Sequence, residues 1–219
     1  MEKEYKERAR IACILSINAG FMDGFSFYHY NGRFIGTQSG NIIQSGINFA
    51  CGNWGRFYDF IIPMIFFSLG VITRGLYSYY LKKENKSEAL HLLWLQWSGV
   101  TIFSVIYGIG IPLSVSVYVG ILSYFMAIQY DFFTKVHGLP YGSIFMTGNV
   151  RLLAANMTQF FITKDKKYIH SINIYLLLIV LFVVGGILSV TLGELIGHWT
   201  MIVSSLLLGI VCMMVKMYE

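Results

Sequence analysis

Six stretches of the chain are almost uninterruptedly apolar: Ile11 to Tyr30, Phe57 to Tyr80, Leu90 to Ile109, Leu113 to Tyr130, Ile172 to Ile196 and Thr200 to Met217. Each approaches or exceeds the roughly 20 residues that carry a helix across a hydrocarbon core. The pattern predicts six transmembrane helices, three in each half of the chain. Two further apolar stretches are too short for this. Asn41 to Ala50 is helix-compatible, but ten residues at a rise of about 1.5 Å cover only half of a core about 30 Å thick. Gly148 to Phe161 also falls short of a comfortable span. Both follow a Ser/Thr-Gly-Asn turn, and both read as re-entrant half-helices with Ser39 and Thr147 as N-cap candidates. The stretches ahead of them, Asn31 to Gln38 and Leu139 to Met146, are expected to descend as extended chain.

The polar residues inside this apolar background repeat. Asp23 precedes Ser39-Gly40-Asn41 by the same spacing as Asp131 precedes Thr147-Gly148-Asn149, and the two sets lie 108 positions apart. Phe25 falls on Phe133 and Asn48 on Asn156 at that offset, which is close to half of the 219 residues. The chain therefore reads as two related halves, 1–110 and 111–219. Three spans per half is an odd number, so a shared fold requires the second half to enter the membrane upside down. The expected fold is an all-α integral membrane protein of two inverted three-helix repeats, each with one re-entrant half-helix. That architecture builds pathways across bilayers around a pseudo-twofold axis.

Composition agrees with the apolar pattern. With 56% hydrophobic and 12% charged residues, a soluble domain would lack the polar surface to cover itself. The first apolar run is full length, contains Asp23 and lacks a small-x-small site at its end, so it is expected to stay as a span and not to be cleaved. Cys13, Cys51 and Cys212 are scattered without CxxC spacing, so neither a disulfide framework nor a structural zinc is indicated. The net charge of +5 follows from topology. Lys3, Lys6, Arg8 and Arg10 precede the first span, Lys82, Lys83 and Lys86 lie between the second and third, and Lys164, Lys166 and Lys167 precede the fifth. With six spans these clusters share one side, which puts both termini in the cytoplasm. No basic stripe with interleaved aromatics suggests nucleic acid.

Candidate chemistry sits at the turns. Two half-helices whose N-termini meet near the midplane concentrate unpaired N–H donors and partial positive charge, which suits an anion or a polar solute. The candidate site comprises Asp23, Ser39, Gly40, Asn41, Asp131, Thr147, Gly148, Asn149 and Arg151. The two aspartates are open to three roles: hydrogen-bonding the turns, accepting a coupling proton or coordinating a cation. A purely local role, bracing the broken backbone, is the competing reading. Arg151 is expected either to pair with Asp23, Asp131 or an anionic substrate, or to snorkel. Arg74 is expected to snorkel. Gly20-x-x-x-Gly24 and Gly193-x-x-x-Gly197 predict close helix contacts without naming a partner. The five histidines lack ligand spacing and no metal or cofactor is expected. No Walker loop, dinucleotide fingerprint or Gly-x-Ser-x-Gly elbow is present.

The run Gly20-Phe21-Met22-Asp23-Gly24-Phe25, then Gly32-Arg33-Phe34, then Thr37-Gln38-Ser39-Gly40-Asn41, resembles the signature of the YoaK-like family of bacterial multi-pass membrane proteins. In that family a G-x-x-D-A-type span leads to a threonine-glycine-asparagine turn, and the second half repeats it more loosely. Gly24 and Ser39 stand here where alanine and threonine are usual. The resemblance implies a bacterial inner-membrane protein and no particular substrate.

The function expected on these grounds is a transporter or channel for a small polar or anionic solute, with a midplane site between the repeats and no enzymatic activity. A non-transporting scaffold or regulatory partner is the alternative. A second is an intramembrane aspartyl hydrolase, for which Tyr130-Asp131 matches half of the presenilin-type signature while Asp23, in Phe-Met-Asp-Gly, does not match the other half. Expected partners are the solute, the lipid bilayer and, as an open possibility, further copies of the chain.

Overall fold

The computed structural model describes residues 8–130 and 133–217. Among these residues the chain forms eight α-helices: α1 (Ala9–His29), α2 (Gln38–Ala50), α3 (Trp54–Lys83), α4 (Glu88–Gly108), α5 (Val115–Tyr130), α6 (Met146–Thr163), α7 (Lys167–Ile196) and α8 (Ile202–Lys216). Their ends follow local chemistry. Ser87 caps α4 by accepting from the Leu90 N–H at 3.4 Å, and Lys82 and Lys83 close α3 where its dipole favours cations. Gly197 ends α7 with a positive φ of 54°. Pro63 lies inside α3 and lacks the N–H that would bond the Asp59 carbonyl.

Four helices are long and apolar enough to cross a bilayer: α1, α3, α4, and α7 continued through its 3-10 turn to Trp199. They make this a membrane-embedded protein. α5 and α8 are equally apolar, but at 16 and 15 residues they rise only about 24 and 23 Å. The exposed surface fits a lipid solvent. Ile65, Leu69, Ile72 and Leu76 on α3, and Val180, Val183 and Ile187 on α7, form outward apolar stripes.

Packing is organised between the halves more than within them. α1 packs on α7 and α3 on α5; α1 also packs on α8, α4 on α5, and α4 on α8. Within a half, α2 packs on α3 and α6 on α7. Exchanging the halves maps every one of these pairs onto another pair or onto itself. The directions match as well. Gly20 abuts Phe182, Gly24 abuts Gly186 and Gly193 abuts His29, so α1 and α7 run parallel. Gly120 abuts Ile62 and Phe66, and Gly70 abuts Tyr124, so α3 and α5 also run parallel. By contrast, α4 and α8 are antiparallel: Gly108 meets Trp199, Ser104 bonds Met201, Thr101 bonds Ser205, and Trp97 faces Gly209.

Small residues permit these approaches. A side chain at Gly20 would strike the Phe182 carbonyl, and one at Gly185 the Ile17 carbonyl. The Gly20-x-x-x-Gly24 motif therefore has its partner, the middle of α7. The core fills the space between α1, α4, α5 and α8, with Leu15, Phe21, Met22, Val100, Leu122, Met126 and Leu208 buried.

Two local features differ from the sequence reading. The chain before α6 is not simply extended: Lys135–Val136 pairs antiparallel with Leu139–Pro140. The two residues between the strands, His137 and Gly138, both have positive φ (48° and 79°), as a two-residue primed turn requires. The short helices also begin two residues early, with Thr37 and Phe145 at the N-cap positions and Ser39 and Thr147 inside the first turn. For α2 the reason is Asp23, whose carboxylate accepts from the free N–H groups ahead of Ser39.

Candidate functional site

The first turn is built on Asp23, buried on α1. Its Oδ1 accepts from the Gly36 N–H at 2.6 Å, and its Oδ2 from the Thr37 N–H at 3.0 Å and the Thr37 hydroxyl at 2.6 Å. A carboxylate beside the start of α2 offsets the positive end of that helix while satisfying the N-cap residue Thr37 and the Gly36 N–H just ahead of it. Asn41, fully buried, holds the other side of the loop: its Oδ1 accepts from the Phe34 N–H at 3.0 Å and its Nδ2 donates to the Phe34 carbonyl at 2.8 Å. The same Nδ2 donates to Gln38 Oε1 at 2.9 Å. Gly40 lies under the Phe34 ring, where a Cβ would come within 2.5 Å of it.

The second turn repeats the clamp. Asn149 Oδ1 accepts from the Gly142 N–H at 3.1 Å, and Nδ2 donates to the Gly142 carbonyl at 2.8 Å. Phe34 and Gly142 are counterparts at the 108-residue offset, as are Asn41 and Asn149. Met146 replaces Gln38, so the third contact of Asn149 is to a thioether at 3.2 Å. About two helical turns on, Asn48 and Asn156 each donate to the carbonyl four residues back at 2.8 Å. A polar chain supports this turn from beneath: Gln96 donates to Gln129 at 3.1 Å, and Gln129 to Ser143 at 3.0 Å. Beside it lies a cleft of about 330 Å³ lined by Thr134, Tyr141, Gly142, Phe145, Gly148 and Asn149 among others.

The two turns touch. A Cβ on Gly36 would lie 2.6 Å from Ile144 Cγ2, and Gly36 and Ile144 are themselves counterparts at the 108-residue offset. Trp97 and Ser205 form a second such pair, with the indole N–H donating to the Ser205 carbonyl at 3.0 Å. Two contacts between residues at the 108-residue offset are therefore present, one at the turns and one between α4 and α8.

At the end where α1 runs into the first turn, an ion pair within the first half is joined to α5 by a hydrogen bond. Arg33, buried, pairs with Asp59 on α3 and donates to the Tyr30 carbonyl at 3.0 Å. Asp59 also accepts from Ser116 at the start of α5. Tyr30, Tyr107 and Tyr118 pack beside this link, the last two stacked with ring centroids 4.4 Å apart. The counterpart of Arg33 is Tyr141, and no matching ion pair is found at the other turn among the described residues. The apolar pattern of the sequence assigns no role to Arg33 or Asp59. A buried arginine inside the Gly32-Arg33-Phe34 turn was the available signal.

A family model described as a protein of unknown function, DUF1275, matches residues 11–214. The chain belongs to the DUF1275 family. No curated protein and no solved structure matches it. The DUF1275 match covers both turns and every helix named above, in whole or nearly so.

In this DUF1275 chain the candidate residues separate by environment. Asp23, Gly40, Asn41 and Asn149 are gathered at the turns and engaged with their own backbone or rings. Ser39, Thr147 and Gly148 are exposed on the first turns of α2 and α6. Arg151 is exposed on α6 and has no ion-pair partner among the described residues; in particular it does not pair with Asp23. Asp131 lies outside the described residues. Arg74 does not simply snorkel, since it lies 3.8 Å from Glu88. Among the described residues no group of three or more His, Cys, Asp or Glu side chains is placed to hold a metal ion.

Proposed function

We propose that this membrane protein carries a small polar or anionic solute across the bilayer, along the seam where its two halves meet, without chemical change to the solute. The observation that carries the reading is the contact of the two turns. Non-helical backbone at membrane depth persists only where protein or a watery cavity satisfies it, and here each turn is clamped by an asparagine and set against its twin. The antiparallel course of α4 and α8, which are counterparts, supports an inverted relation between the halves. In this reading α5 and α8 also cross, with the bilayer thinning locally around them or their flanking turns making up the remaining few ångströms.

The turns themselves supply the recognition. The cleft lined by Gly142, Gly148 and Asn149 offers the solute a place at the second turn, with Thr147 exposed beside it. Partial positive charge at the N-terminus of α6 favours an anion or an electron-rich polar group. The Arg33–Asp59–Ser116 link and the tyrosines close one end of the seam. The cationic clusters at Lys82, Lys83, Lys86 and at Lys164, Lys166, Lys167 support placing both termini on the cytoplasmic face of a bacterial inner membrane. Asp23 spends both its oxygens on the first turn, which does not favour a catalytic carboxylate dyad.

Reconstitution tests this. Liposomes containing the protein are challenged with formate, acetate, phosphate, chloride and small neutral polar solutes. At least one is expected to enter faster than into protein-free liposomes. Gly36→Val, which wedges the seam, is expected to remove that flux while the chain still reconstitutes. Entry of all solutes at the protein-free rate contradicts the reading.

A further inference from the structure

A second feature of the molecule lies away from the turns. α3 and α4 are joined by a short connection yet diverge, leaving two neighbouring cavities of about 500 and 480 Å³ that share Tyr77 and Leu95 as walls. One reaches Thr73 and Tyr124; the other runs past His91 and Trp94 to Ser98. The lining is mostly apolar, and Ser98 returns its hydroxyl to the Leu95 carbonyl at 3.2 Å, so water finds few partners there. Trp94 also walls a smaller cavity of about 170 Å³ bounded by Lys216 on α8.

The mouth has a different character. Arg74, Lys82, Lys83 and Lys86 cluster where α3 turns into α4, against Glu84 and Glu88. Glu88 lies 3.8 Å from Arg74 and 3.6 Å from Lys82. The cations outnumber the acids even after this pairing, and Lys216 adds another across Trp94. Tyr77, Tyr80 and Trp94 give the rim the amphipathic rings found at headgroup level. An apolar wedge between membrane helices beneath a cationic, aromatic rim has the chemistry of an anionic lipid site.

We infer that the wedge between α3 and α4 is a binding site for an anionic phospholipid, with an acyl chain along Tyr77 and Leu95 and the phosphate held by the lysines of the α3–α4 turn. Occupancy stiffens a pair of helices that otherwise touch little, so bound lipid stabilises the fold by mass action.

Native mass spectrometry of the full chain in detergent, titrated with phosphatidylglycerol or phosphatidylcholine of identical chains, tests it. One phosphatidylglycerol is expected to bind at least tenfold more tightly than phosphatidylcholine. Leu95→Trp fills the shared wall and is expected to abolish binding of both; if that variant does not fold, Ser98→Phe serves the same end from α4. Replacing Lys82, Lys83 and Lys86 together by glutamine is expected to erase the preference while sparing chain binding. Equal affinity for the two lipids in the parent protein overturns the inference, as does undiminished phosphatidylglycerol binding in the filled variant. A dimer that Leu95→Trp converts to monomer also overturns it, assigning the wedge to a second copy. None of these results depends on whether the protein transports a solute.

Discussion

The first and second turns are held by the same asparagine clamp and differ in the described side chains around it. Asn41 and Asn149 each bond both backbone groups of a residue seven positions back. Yet the first turn has Asp23 spread across three donors and Gln38 completing the asparagine's bonds, while the second has Met146 and a Gln96–Gln129–Ser143 chain. Gly36 in the first turn is Ile144 in the second. The shared part fixes where the broken backbone sits; among the described residues the unshared part gives the first turn a carboxylate and an amide, and the second a thioether and a glutamine–serine chain.

Breaking the first turn gives the largest expected effect. Asp23→Ala leaves the Gly36 and Thr37 N–H groups and the Thr37 hydroxyl without an acceptor, at about 1–3 kcal/mol for each buried orphan. A loss of about 3 kcal/mol or more is expected in denaturant titrations of the protein in mixed micelles. Asp23→Asn, which keeps one strong acceptor oxygen, is expected to lose less. Equal losses from the two substitutions would remove the charge from the account.

The clamps come next. Asn41→Ala is expected to cost about 2–3 kcal/mol and Asn149→Ala about 1–2 kcal/mol, because the second loses only a thioether where the first loses an amide partner. The same titrations order the two, and the reverse order contradicts the inequality of the turns. Met146→Gln sharpens the comparison from the other side. It supplies Asn149 with the partner that Asn41 has, and a gain of about 0.5–1 kcal/mol is expected.

The smallest effect lies outside the turns, at the α6–α7 connection. The Asp165 carboxyl is held below the usual carboxylate range by the Lys167 backbone N–H and then by its ammonium group. A depressed native value contributes stability above the ordinary carboxylate range, and that stability disappears as pH falls through the native value. Both side chains are exposed, so Asp165→Asn is expected to leave the melting temperature at pH 7 unchanged while abolishing the local acid titration seen by NMR.

Much of the fold was legible because its signals are one-dimensional. Apolar runs marked each of the eight helices except for their ends, and an exact offset linked Asp23, Asn41 and Asn48 to their counterparts. The ends were misread where the acceptor came from another helix. Ser39 looked like a cap because it precedes Gly40, while the actual acceptor, Asp23, is distant in sequence. The β-hairpin at Lys135–Pro140 was hidden because two residues per strand carry no period. The site was legible in part: the repeat pointed to both asparagines, but their partners at Phe34 and Gly142 are backbone groups that no side-chain pattern encodes. The Arg33–Asp59–Ser116 link joins three elements from both halves, and its residues share no spacing at all.

Intramolecular cross-linking tests the meeting of the two turns most directly. In a chain whose three native cysteines are replaced, Gly36→Cys and Ile144→Cys are combined and oxidised in the membrane. The account predicts a rapid intramolecular disulfide that also halts solute entry in liposomes. A folded double variant whose two thiols stay separately alkylatable under oxidant would contradict it.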